Sequence, residues 1–222
     1  GGGDYDRRSI EIVFGRATMS HYLTFGGLAP VILLLLAGCT AKQPADISNV
    51  CEIFKEQRGW YKASSKAASR WGTTVPVIMA FMHQESSFRA KAKPPRKKIL
   101  WIFPGPRPAS AKGYAQAIDG TWDNYRKSSG RWGADRNNFK DAADFIGWYI
   151  DQSAKKNGIA KTDAEKLYLS YHEGQGGYAK ATYSSKPWLI KVAAKVGKQS
   201  EAYSRQLAGC ERRFKKRFFG LF

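Results

Sequence analysis

The chain has 222 residues, 43% of them hydrophobic and 14% aromatic, and a formal charge of +19. That size and apolar content exclude a disordered chain and allow one core, or at most two. The charge points to an anionic partner, whether nucleic acid, an anionic membrane surface or an acidic wall polymer, without choosing among them.

Residues 1–18 precede the first methionine, Met19, and read as an upstream extension; alternatively, Arg7, Arg8 and Arg16 begin a longer signal. Residues 19–38 hold an apolar run broken by Gly26, Gly27 and Pro30. A comfortable membrane span needs about 20 apolar residues, so the run reads as a secretion signal. Its ending, Leu36-Ala37-Gly38-Cys39, resembles the bacterial lipoprotein box and implies lipidation of Cys39, although between Met19 and the run there is only His21 and no lysine or arginine. A plain cleaved signal or a buried core helix is the alternative. Residues 39–46 are polar, include Pro44 and suit a short tether.

A domain over 47–210 follows, with helices expected over 47–54 and 60–71, the second ended by Gly72. Thr74 and Pro76 then start a helix in which Ile78, Phe81, Met82, Glu85 and Phe88 share one face. A carboxyl among such neighbours is harder to ionise, which makes a usable general acid. The competing reading of Glu85 is a glutamate near a helix end that reaches solvent. Residues 91–112 are basic and proline-rich, and a loop with a short strand or hairpin at 99–103 is expected. Helices resume over 117–127 and 139–155, closing near Gly158. Thr162 and Glu165 form a capping box for a helix to about Tyr171, interrupted by Gly174, Gly176 and Gly177. A last helix over 187–207 stops at Gly209, leaving 211–222 as a basic aromatic tail that either lies on an anionic membrane or hangs free. The class is mostly α.

With Cys39 lipidated, Cys51 and Cys210 remain, and an oxidising compartment would join them. Closing so long a loop is worth roughly 5 kcal/mol in the chain-entropy model; two separate buried thiols are the alternative. His21, His83 and His172 lie far apart, so neither a metal nor a cofactor is expected.

Three ordered patches resemble the soluble lytic transglycosylase (SLT) domain of the lysozyme-like superfamily. Glu85-Ser86-Ser87-Phe88 is similar to the family's E-S-x-F, Ser110-Ala111-Lys112-Gly113-Tyr114-Ala115-Gln116 to G-A-x-G-L-M-Q, and Tyr171-His172-Glu173-Gly174 to Y-N-A-G. Ile146-Gly147-Trp148-Tyr149-Ile150 looks like the helix between the last two. The resemblance implies a single lysozyme-like helical domain that cleaves the β-1,4 bond between N-acetylmuramic acid and N-acetylglucosamine in peptidoglycan, forming 1,6-anhydromuramyl ends. It implies Glu85 as acid then base, and Ser86, Tyr114, Gln116, Tyr171 and His172 at the substrate. Ser86 instead bonding its own helix, Tyr114 and Tyr171 instead packing, and Gln116 as a plain helix-start residue are the structural alternatives. Tyr171 is expected to orient the Glu85 carboxyl and hold it protonated. His172 replaces an asparagine, and Glu173 is expected to be exposed.

The expectation is a monomeric lipoprotein on the periplasmic face of the outer membrane, held by a lipid anchor on Cys39, with glycan strands as partner and no nucleic acid. Its rivals are a hydrolase of the same bond, like goose-type lysozyme, and a non-catalytic wall-binding lipoprotein.

Overall fold

The computed structural model describes residues 42–94, 98–99, 103–104 and 110–219, with side chains over 42–94 and 110–215. The expected extension, signal and Cys39 lie outside the described residues. Helix α1 (Val50–Glu56) starts at Asn49, whose side chain accepts from the Cys51 N–H at 2.9 Å, and α2 (Trp60–Trp71) ends on left-handed Gly72. Helix α3 (Val75–Ser86) carries its proline in the first turn, where no intrahelical N–H partner is lost. Thr74 stands at the N-cap without a side-chain bond to the helix. The sequence leads to one apolar face on α3, but Val77, Met79 and Ala80 are as buried as Ile78, Phe81 and Met82. It is therefore the central helix, apolar all round.

In the basic loop, β1 (Lys98–Ile99) pairs antiparallel with β2 (Phe103–Pro104), the hairpin form of the expected arm. Helix α4 (Asp119–Ser129) begins later than expected because Lys112 and Ala117 form an antiparallel bridge first. Helix α5 (Phe139–Asn157) is capped by the Asn138 side chain and closed by Gly158. For α6 (Ala164–Ala179) the capping box is corrected: Asp163, one residue after Thr162, takes the N-cap and accepts from the Lys166 N–H at 3.0 Å. The helix also continues past Tyr171 and breaks only at Gly174. A 3-10 turn follows over Thr182–Ser185.

The last helix, α7 (Pro187–Phe219), runs through Gly209 and on along the expected tail. An internal glycine costs only about 1 kcal/mol relative to alanine. Against that, Cys210 is bonded to Cys51 across 159 residues, and Phe214 lies 5.6 Å from Phe54 and 5.5 Å from Tyr61, ring centre to ring centre. The disulfide and this packing carry the helix past its local stop signal.

Helix α3 packs chiefly on α7, α2 on α5, and α6 on α5 and α7. Asp144 ties the α2–α4–α5 side together, accepting from Arg70 at 3.0 Å, Trp71 Nε1 at 3.1 Å and Tyr125 at 2.8 Å. Of these, α4 and α5 reach the same cleft as Glu85, through Thr121, Phe145 and Tyr149.

Candidate active site

The last turn of α3 is held by the residues that follow it. Ser87 and Phe88 have φ of 50° and 61°, in the left-handed region that non-glycine residues enter rarely. The full burial of Phe88 beside Trp60, at 5.7 Å, offsets that strain. The chain thus reverses directly after Glu85 and Ser86, which fixes the end of α3 on which Glu85 sits.

A second fixed turn lies opposite. At Gly113, φ is 81° and an added Cβ would stand 2.1 Å from the Arg136 carbonyl oxygen, so no other residue fits without moving backbone. The Gly113 N–H donates to Ala92 O at 2.9 Å and the Tyr114 N–H to Arg136 O at 3.1 Å. Gln116, itself at φ 48°, donates from Nε2 to Ala92 O (2.9 Å) and Gly113 O (2.8 Å). Its amide oxygen accepts no hydrogen bond among the described residues. The Tyr171 hydroxyl donates to Ala115 O at 2.5 Å, binding α6 to this turn.

Between these parts lies a cleft of about 640 Å³. Glu85, Gln116, Phe145, Tyr149, Tyr171, His172 and Glu173 all line it, with Ala117, Ile118 and Thr121 along one side. Glu85 is partly covered, and burial pushes its carboxyl up to about 7. The Tyr168 hydroxyl opposes this, donating to Glu85 Oε1 at 2.7 Å, because a donor favours the charged form. Phe81 meets both Tyr168 and Tyr171 edge-on, at 5.4 and 5.3 Å, and keeps the pair in place.

Glu173 has the opposite surroundings. Its side chain is 4% exposed, covered by close partners although it lies near the rim of the fold. Lys186 Nζ donates at 2.8 and 2.9 Å, Thr182 Oγ1 also donates, and His172 Nδ1 stands at 3.0 Å. Lys186 first, then Thr182, hold the carboxyl down at about 2. A charged carboxylate only accepts, so His172 carries a proton on Nδ1. The break at Gly174, with φ 74° and ψ 158°, turns the chain so that Thr182 and Lys186 come back onto Glu173.

The structure brings Glu85, Gln116, Tyr171 and His172 to one cleft and leaves two expected substrate residues out. Ser86 is 1% exposed and its hydroxyl bonds Met82 O at 3.2 Å; of its two roles, the helix-backbone one is realised. Tyr114 is also 1% exposed, packed edge-on against Trp60 and Phe139, where no sugar reaches it. The expectation for Tyr171 is corrected too: the hydroxyl on Glu85 belongs to Tyr168, and it favours the carboxylate instead of holding it protonated. Glu173, expected to be exposed, is enclosed. Tyr168 was missed by motif; its place one turn before Tyr171 on α6 is the signal that finds it.

A family model described as "Transglycosylase SLT domain" matches residues 28–210. No curated protein and no solved structure matches the chain.

Proposed function

Since the chain belongs to the transglycosylase SLT domain family, with peptidoglycan as the substrate this implies, we propose that it is a lytic transglycosylase whose catalytic residue is Glu85. The observation that carries the reading is a carboxyl held at about 7 on the cleft, with the only other glutamate among the described residues lining it bound to a lysine. With a pKa of that value, about half the molecules hold the proton at neutral pH.

In the reaction, protonated Glu85 gives its proton to the oxygen between the muramyl and glucosaminyl rings as that bond breaks. The carboxylate left behind is stabilised by the Tyr168 hydroxyl. It then takes the proton of the muramyl C6 hydroxyl while that oxygen closes on C1, giving the 1,6-anhydro ring and restoring the acid. One carboxyl suffices because the attacking oxygen belongs to the substrate and needs no second base to activate water. Gln116 offers its amide oxygen and His172 its Nε2 to sugar hydroxyls or acetamido groups, while Tyr171 holds the Ala115 turn in register.

The place of action is the cell envelope, where peptidoglycan lies. Anchoring to the outer membrane through Cys39 is part of the same proposal. The deciding experiment is mass spectrometry of purified wall digested by wild type and by Glu85→Gln. Anhydromuramyl ends from the wild type alone support the reading. Reducing ends would identify a hydrolase, and equal digestion by both proteins would remove Glu85 from the chemistry.

A further inference from the structure

Apart from the Glu85 cleft, helices α1, α2 and α7 border a second depression of about 440 Å³. Its floor is aromatic: Phe54, Tyr61 and Phe214 contact one another at centre distances of 5.5 to 5.6 Å, Phe54 and Tyr61 buried in the core and Phe214 half-buried at the surface. Around them the charge is mainly positive. Lys55 is paired with Glu52, and Glu211 is held by Tyr61 and Lys215. Arg58 and Arg213 line the same depression, are exposed, and have no ion pair among the described residues. Two uncompensated guanidinium groups beside the half-buried Phe214 ring suit an anion with an apolar remainder.

Two further observations indicate which anion. Helix α7 does not stop at the disulfide but extends to Phe219, and its sequence there is Arg212-Arg213-Phe214-Lys215-Lys216-Arg217-Phe218-Phe219. Basic and aromatic residues combined on a helix match the interface of an anionic bilayer. Residues 42–45 also lie at this end of the fold. The Lys42 carbonyl accepts from Gln57 Nε2 at 2.8 Å, and the Ala45 N–H donates to Glu56 Oε2 at 3.1 Å, both at the end of α1. Cys39 is three residues before Lys42, a span of at most about 11 Å.

We propose that this depression docks the protein on an anionic lipid surface, with Arg58 and Arg213 on headgroup phosphates and the half-buried Phe214 ring facing the acyl-glycerol region. The docking is independent of glycan cleavage. Were Cys39 lipidated, its acyl chains would enter the bilayer next to this face.

The test is flotation of the full chain with vesicles of phosphatidylglycerol and phosphatidylcholine, against vesicles of phosphatidylcholine alone. Wild type is expected to prefer the anionic vesicles tenfold or more. Each cation near such a surface is worth about fivefold, so Arg58→Gln with Arg213→Gln should lose at least tenfold on anionic vesicles, and Arg58→Glu with Arg213→Glu more. Binding to neutral vesicles and cleavage of soluble glycan should not change. The control is Lys127→Glu with Lys195→Glu, which alters net charge as the Glu pair does but at positions outside the depression. An equal loss in that control would overturn the proposal in favour of net charge. Unchanged binding by the Arg variants would overturn it, as would displacement from vesicles by millimolar inorganic phosphate or by soluble wall fragments.

Discussion

Glu85 and Glu173 line one cleft, yet one carboxyl is pushed up to about 7 and the other held down at about 2. Among the described residues Glu85 has a single hydroxyl donor against the cost of burial, so its charge is poorly compensated. Glu173 has a lysine, a hydroxyl and an imidazole, and its charge is well compensated. The difference teaches that burial raises a carboxyl that has no cationic partner, whereas a lysine with two further donors holds one down, and that this separates an acid from a structural anion. On the reading proposed above, one does chemistry and the other keeps the wall of the cleft in shape.

The comparison breaks most sharply at Glu85. Glu85→Gln should lower the rate of glycan release by about 10³-fold, measured as soluble fragments from purified wall. It should also change the stability profile. Because its folded-state pKa is raised, Glu85 costs no stability below about 4.5 and destabilises progressively as pH rises through about 7. Chemical denaturation should therefore find Glu85→Gln more stable than wild type above pH 7, by up to about 3 kcal/mol, with the gap closing toward pH 4.

Tyr168→Phe sharpens the same contrast by removing the one donor. The pKa of Glu85 should rise further, so the loss of activity on the alkaline side moves to higher pH, while the rate at the optimum falls about tenfold. A pH profile that moves down or stays put would contradict the assignment of Tyr168. At Glu173, Gln in place of Glu should cost about 1–2 kcal/mol at pH 7, discounted because Lys186 is partly in water. Since that pKa is depressed, the stability it contributes is present above about 4.5 and is lost as pH falls through about 2. The smallest effect is expected at Ser86→Ala, which removes only a bond to Met82 O. It should leave cleavage within about twofold and shift stability by less than about 1 kcal/mol in denaturant titrations.

What the sequence made legible followed local chemistry. Helix α2 and its Gly72 stop, the start of α3 at Thr74 and Pro76, and the placement of Glu85, Gln116, Tyr171 and His172 were readable from spacing and motif. The Cys51–Cys210 bridge followed from counting. The misses needed partners distant in sequence. Glycine spacing placed the end of α7 at Gly209, but Phe54, Tyr61 and Cys51 hold the helix onward from the other end of the chain. Glu173 looked exposed beside a glycine, and Lys186, 13 residues later, reaches it only after the break at Gly174. The motif contains Tyr171, whereas the hydroxyl that meets Glu85 lies one helical turn earlier, on Tyr168. Tyr114 replaces a leucine in the pattern and keeps the leucine's place in the core.

The central claim is that the Glu85 carboxyl keeps its proton near neutral pH. Carbon-13 NMR titration of glutamate side-chain carboxyls, with Glu85 identified as the signal missing from Glu85→Gln, tests it directly. A midpoint of about 7 is the expected result; a midpoint in the ordinary carboxylate range would contradict the account.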